Sequence, residues 1–164
     1  MSNICLHNMT KELCRAYHQQ FAFDPDLFMD MSRFTEYRYT QEHADAHWQR
    51  QRDLNRVHLA ILRRDKIIGE IVIKNIDREK KCCTFGIHLT NDTVKNKGYG
   101  TKAEILMLQY AFHEMGMNTV YADAILKNTR SQHVLTKVGF LETHADDKFR
   151  YYRCEKATWA SPTI

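Results

Sequence analysis

A basic turn carrying two glycines, Lys95-Asn96-Lys97-Gly98-Tyr99-Gly100-Thr101-Lys102-Ala103, runs straight into an apolar helix and constrains everything around it. Neither glycine has a Cβ, so the backbone there can come close to a ligand. The helix that follows points its free N–H groups and the positive end of its dipole back at the turn. A helix start of this kind is an anion site, and phosphate is its usual occupant. Lys95, Lys97 and Lys102 add positive charge around it. The plainer reading of the same residues is a tight turn on a solvated basic surface.

The chain has 164 residues, which suits one domain with a sizeable core. A net charge of +4, spread along the chain, fits a phosphorylated ligand and falls short of a nucleic-acid footprint. No apolar run approaches a membrane span, and Met1-Ser2-Asn3-Ile4 lacks a signal-peptide pattern. The 5 cysteines are odd in number and form no Cys-x-x-Cys pair. Cys82 and Cys83, adjacent on an expected strand, should face opposite ways. Reduced thiols in a cytoplasmic protein are therefore expected rather than a disulfide framework.

In chain order, a short strand is expected at residues 4–7. Thr10 caps a helix carrying Leu13, Cys14 and Tyr17. Asp24-Pro25-Asp26 ends it. Residues 27–39 mix aromatics with charges and show no clean period, as a wall of a substrate pocket would, or a loop whose rings cap the core. Thr40 opens a second helix to about Leu54, on which His43 and His47 have the i, i+4 spacing of a zinc pair. No Glu follows His43 and no third ligand stands out, so no metal is expected. Residues 57–62, 67–73 and 82–89 read as an antiparallel meander, with Gly86 marking a bulge or a close backbone approach. A buried helix follows over residues 103–115, stopped by Gly116. Then come a strand at 119–125, a helix from the N-cap Asn128 to Gly139, and strands starting at Phe140 and spanning 149–154. Residues 157–164 have no periodic signal. The fold class is α+β, or mixed α/β, in a single domain over residues 1–164.

Gly98-x-Gly100-x-x-Ala103 also fits the dinucleotide fingerprint, with Asp123 near its acidic position. Against that reading, a polar connector separates Leu89 from Gly98, and too few residues follow for a doubly wound sheet. Several further motifs instead resemble the GNAT N-acetyltransferases, most closely the ribosomal-protein N-terminal acetyltransferase branch. Residues 95–100 match the family's Arg/Gln-x-x-Gly-x-Gly/Ala signature except at Lys95. Asn128-Thr129-Arg130-Ser131 and Lys137-Val138-Gly139-Phe140 match its second motif, and Ile68-Gly69-Glu70 and Phe85-Gly86-Ile87 match its strand patterns. The likeness covers residues 57–156, and the N-terminal helices more weakly.

The resemblance implies one mixed seven-stranded sheet, an antiparallel meander followed by βαβαββ. It implies acyl transfer from acetyl-CoA to a primary amine, at a protein N-terminus or on a small molecule, by direct attack on the thioester. Ile87, His88 and Leu89 would supply the strand edge facing the acetyl carbonyl. The pyrophosphate would lie on Lys97, Gly98, Tyr99, Gly100 and Thr101, beside Lys95, Asn96 and Lys102. Asn128 would bond the pantetheine arm, although a plain N-cap explains it equally well, and Lys137 belongs to the same matched motif. Ser131 would protonate the thiolate, since Leu135 stands where many relatives have tyrosine. The family's strand carboxylate is replaced by Thr84, which leaves Glu70, His88 or a water chain as base. Acetyl-CoA and an amine are the implied partners, without nucleic acid or membrane, and a homodimer is compatible with the pattern. A CoA or phospho-ligand binding module without turnover, and a dinucleotide oxidoreductase, remain the alternatives.

Overall fold

The computed structural model describes residues 3–163. Strand β1 (Ile4–Asn8) leads into helix α1 (Lys11–Gln20), whose cap is the Thr10 hydroxyl accepting from the Leu13 N–H at 3.1 Å. Two single 3₁₀ turns, Pro25–Leu27 and Met31–Arg33, occupy the aperiodic stretch, each opened by an aspartate side chain. Helix α2 (Gln41–Asp53) starts at Thr40, as expected. It is fastened to α1 by a two-pronged Arg15–Asp45 pair, both contacts 2.7 Å. Strands β2 (Val57–Arg63), β3 (Lys66–Asp77) and β4 (Cys82–Leu89) form the antiparallel meander. Helix α3 (Tyr99–Gln109), β5 (Thr119–Ile125), α4 (Thr129–Val138), β6 (Leu141–Ala145) and β7 (Phe149–Glu155) complete the chain.

The seven strands make one sheet in the order β1-β2-β3-β4-β5-β7-β6, in which only β4 and β5 pair in parallel. That order is not a doubly wound parallel sheet, so the dinucleotide reading of the glycine turn loses its fold. One face is covered by α1 and α2 over Met9, Cys14, Tyr17, Ala60 and Leu62. The main core, with Ile61, Ile71, Ile73, Met107, Leu108, Phe112 and Phe140, lies on the other. Residues past 156 also have a place. Trp159 packs on Phe112 and its indole N–H donates to the Val138 carbonyl at 2.9 Å.

Three boundaries differ from the sequence reading. Helix α3 begins at Tyr99, so Gly100 sits inside its first turn, and its far end widens into a π-helical turn, Tyr110–Glu114, before Gly116 closes it at φ +73. Strand β3 runs on to Asp77 through a register shift between Lys74 and Asp77. Gly86 carries no bulge: the β3–β4 register is unbroken around it, and a Cβ there would meet nothing within 4 Å. The close backbone approach falls on Gly69, where a Cβ would lie 2.6 Å from the His88 carbonyl oxygen.

That contact yields the first prediction. Gly69→Ala should lower stability in urea unfolding by about 1–3 kcal/mol, because backbone has to move. Gly86→Ala should change it by less than about 1 kcal/mol. Equal effects at the two glycines would contradict this account.

Candidate active site

Parallel pairing between β4 and β5 stops after Cys82, Cys83 and Thr84 meet Thr119, Val120 and Tyr121. Residues 85–89 of β4 and 122–125 of β5 run on without pairing to each other, so the sheet splits open along its middle. The Thr90 N–H donates to the Ile68 carbonyl at 2.9 Å, which fixes the phase of β4. By alternation His88 and Gly86 also bond toward β3, while the N–H groups of Ile87 and Leu89 point into the split. Of the three strand-edge residues expected from the sequence, two thus offer backbone donors. The third, His88, offers its ring to the α1/α2 face of the sheet.

The mouth of the split is the start of α3. Gly98 is its N-cap, left-handed at φ +76, and makes no side-chain cap, so the first-turn N–H groups are left to a ligand or solvent. A Cβ at Gly98 or Gly100 would enter open space. Asn96 and Lys97 are exposed beside them, and Thr101 is buried in the first turn. Lys95 is held by two carboxylates, at 3.0 Å from Asp92 and 3.4 Å from Asp24, and so braces the turn as well as charging it.

Across the split, Asn128 caps α4 by accepting from the Ser131 N–H at 3.0 Å. Ser131 is half-buried in that first turn, whereas Lys137 is exposed in the last, about 9 Å further along the helix. Leu135, at the place of the missing tyrosine, is buried in the core. Segment 21–37 closes the side of the cleft. Its rings, Phe21, Phe23, Phe28, Phe34 and Tyr37, meet edge to face at 5.1–5.8 Å. It is tied to the end of β4 by Ala22 N–H donating to the Thr90 carbonyl at 2.9 Å. It is tied to the loop after β5 by Lys127 Nζ donating to the Phe28 carbonyl at 3.2 Å.

One cluster in this cleft is absent from the sequence reading. Glu70, directly across the β3–β4 ladder from His88, is buried under α1 and α2. Its Oε2 accepts from His47 Nε2 at 3.0 Å and His58 Nε2 at 2.7 Å. Burial alone would push this carboxyl up. The two imidazole bonds outweigh it and hold the group well below the usual carboxylate range. A carboxylate held that firmly ionised is a weak proton acceptor, which argues against Glu70 itself as the base. His43, the other half of the i, i+4 pair, is exposed and lies against the His18 and Tyr37 rings instead. His88 exposes its ring while protein crowds it on most sides, as on a cleft floor. That partial desolvation lowers its pKa, with Glu70 pulling the other way. The signal for the cluster was a charged residue inside the apolar run Ile67-Ile68-Gly69-Glu70-Ile71.

A split mixed sheet with a glycine-rich helix start at its mouth is the architecture of an acyl-CoA N-acyltransferase fold. The chain belongs to the GNAT family: the family described as "Acetyltransferase (GNAT) domain" matches residues 3–141. "Putative ribosomal N-acetyltransferase YdaF" of Bacillus subtilis (strain 168) is 31% identical over 96 residues, 58% of this chain and 52% of YdaF. The chain thus spans about half the length of the curated relatives it matches. Among solved structures, FdhC, a nucleotide-linked sugar GNAT, superposes with TM-score 0.77 at 14% identity, covering 94% of this chain and 87% of FdhC. The dodecameric spermidine N-acetyltransferase of Vibrio cholerae gives TM-score 0.71 at 13% identity, covering 94% of each chain. These two likenesses concern the fold alone. No helix among the described residues is long and apolar enough to cross a membrane.

Proposed function

We propose that this chain is an acetyl-CoA-dependent N-acetyltransferase that transfers the acetyl group to a primary amine by direct attack. The observation that carries this reading is the split between β4 and β5, with free N–H groups on Ile87 and Leu89 along one wall and the Gly98–Gly100 helix start at its mouth. The pyrophosphate lies on the first turn of α3, from Lys97 to Thr101. The pantetheine arm runs down the split past Asn128. The thioester carbonyl meets the Ile87 and Leu89 N–H groups, which stabilise the oxyanion as it forms. The Asn128 side chain already caps α4, so its carbonyl oxygen serves the helix and its amide N–H remains for the arm. Ser131, one turn into α4, supplies a proton to the departing thiolate. A cytoplasmic setting, in which the free cysteines stay reduced, goes with this reading.

The acceptor amine is bounded by the 21–37 aromatic segment and the α1/α2 face. Protein N-termini, polyamines and amino-sugars all present the required nucleophile. The test is release of CoA thiol from acetyl-CoA with a panel of such amines. Turnover with at least one amine is expected, and Ser131→Ala should reduce kcat about 10–100-fold while leaving acetyl-CoA binding intact. Tight acetyl-CoA binding with no turnover on any amine would leave a binding module instead. Unchanged turnover in Ser131→Ala would remove the serine from the reaction.

A further inference from the structure

The His47–Glu70–His58 cluster joins α2, β3 and β2 on the sheet face that carries His88, and the chemistry of its atoms divides the roles. An ionised carboxylate only accepts, so both imidazoles present Nε2–H to Glu70 Oε2. In each ring Nδ1 is then the nitrogen left to accept a proton. In His58 that nitrogen is buried with no hydrogen-bond partner, and the side chain is only 7% exposed, so no substrate reaches it. In His47 the side chain is 26% exposed, and its Nδ1 has no partner among the described residues. His88 is open as well, but no hydrogen bond orients its ring, and Glu70 acts on it only through space.

From this geometry we infer that His47 is the general base of the reaction, with Glu70 as its positioning residue and His58 as the second anchor of the carboxylate. The inference rests on the acetyltransferase reading above. The position suits the task. Glu70 and His88 are directly paired, and side chains directly opposite on an antiparallel ladder lie about 5 Å apart on one face. His88 is flanked by the two residues whose N–H groups face the split. Through Glu70, His47 is therefore held on the same face of the sheet as His88.

The amine lone pair forms the new C–N bond at the carbonyl carbon, and the proton that the amine sheds passes to His47 Nδ1. The C–S bond then breaks with its electron pair going to sulfur. Ser131 protonates that thiolate and recovers its proton from solvent, to which the His47 imidazolium in turn releases its own. Glu70 stabilises the imidazolium while it lasts, the division of labour by which a buried carboxylate orients a histidine in hydrolytic triads. Titratable groups surround the pair: the His18 ring of α1 and the His58 ring of β2 pack on His47, and His88 of β4 acts on it through space. Cys14 and Tyr17 of α1 lie within the field of Glu70, and Tyr37 and His43 pack on the far side of His18. His18 is tied by Nδ1–H to the Cys14 carbonyl at 2.8 Å, and burial lowers its pKa, so it stays a neutral neighbour.

The same three atoms also resemble a ligand set for a metal such as zinc. A metal on His58 Nε2 would put the ring proton on Nδ1, and that N–H would be buried without an acceptor, where metal-bound histidines almost always have one. The hydrogen-bonded dyad leaves a lone pair there instead of a stranded donor.

The test compares wild type with His47→Gln, Glu70→Gln, His58→Gln and His88→Gln. It measures acetyl-CoA binding by thermal shift and thiol release across pH with spermidine, a hexosamine and a short peptide bearing a free N-terminus. His47→Gln should bind acetyl-CoA normally and lose about 10²–10⁴-fold in kcat/KM at pH 7. The deficit should shrink as pH rises toward the amine's own pKa, where the nucleophile deprotonates without help. A wild-type rate and pH profile in His47→Gln would overturn the assignment, as would a loss confined to His88→Gln. Long-range ¹H–¹⁵N spectra of wild type give a readout that needs no acceptor: Nε2–H on His47 supports the dyad and Nδ1–H overturns it. Failure of wild type to bind acetyl-CoA would instead remove the acetyltransferase reading on which the dyad depends.

Discussion

Gly100→Val is expected to fold as well as the parent and to lose acetyl-CoA binding by at least about 100-fold, or ~2.7 kcal/mol. Gly100 has an ordinary helical backbone, and an added Cβ would find nothing within 4 Å, so no strain or clash opposes folding. Valine is also a better helix former than glycine by a few tenths of a kcal/mol. The open space is the volume a pyrophosphate needs in order to reach the first-turn N–H groups, and an isopropyl group fills it. Gly98 behaves differently. Its φ of +76 strains any L-residue, so Gly98→Ala should cost stability, by about 1–2 kcal/mol, as well as binding. Calorimetric titration of both variants, with urea unfolding alongside, separates the two effects. Normal acetyl-CoA affinity in Gly100→Val would place the cofactor elsewhere.

The second large effect is on stability, at Glu104. This residue faces inward on α3 with only 2% of its surface exposed, and its Oε2 has no hydrogen-bond partner. Burial pushes its carboxyl up to about 8, so it is neutral in the folded protein at pH 7 and ionised in the unfolded chain. A group raised in this way contributes stability that is fully present below its unfolded pKa. That contribution drains away as pH climbs from about 4.5 to about 8, at ~1.4 kcal/mol per pH unit, for a total of about 4–5 kcal/mol. Glu104→Met removes both the titration and the stranded oxygen. It should match or exceed wild type in acid and be more stable by about 3–5 kcal/mol at pH 8. Urea unfolding of the two proteins from pH 4.5 to 9 checks this. A stability difference that stays flat with pH would mean Glu104 is ionised or partnered in solution.

Local signals carried most of the fold. Strand β4 and strand β5 were legible to the residue, because both are bounded by turn residues and filled with β-branched, aromatic and small apolar side chains. Thr10, Thr40 and Asn128 were read as caps, and each makes the bond its position implies. The glycine turn, too, was legible as the start of a helix, since that signal lies in consecutive residues. What escaped depends on neighbours distant in sequence. Gly86 looked like the distorted glycine and Gly69 like part of an ordinary strand, yet steric need is set by the facing strand, and only Gly69 has a carbonyl pressed against it. Glu70 was read as a candidate base, and its two partners come from another strand and from a helix. His47 was paired by spacing with His43, which points elsewhere. Glu104 shows the same limit: one charge in the apolar run Ala103-Glu104-Ile105-Leu106 is conspicuous, but its burial follows from helix phase against the sheet.

The claim on which the rest depends is that acetyl-CoA occupies the split between β4 and β5 with its pyrophosphate on the start of α3. A thermal-shift titration of wild type and Gly100→Val with acetyl-CoA, CoA and NAD tests it most directly, because a ligand that binds only the folded protein raises Tm as its concentration passes Kd. The account predicts a shift for wild type with acetyl-CoA and CoA, none with NAD, and none with any of the three for the variant. A shift with NAD alone, or equal acetyl-CoA shifts for both proteins, would contradict it.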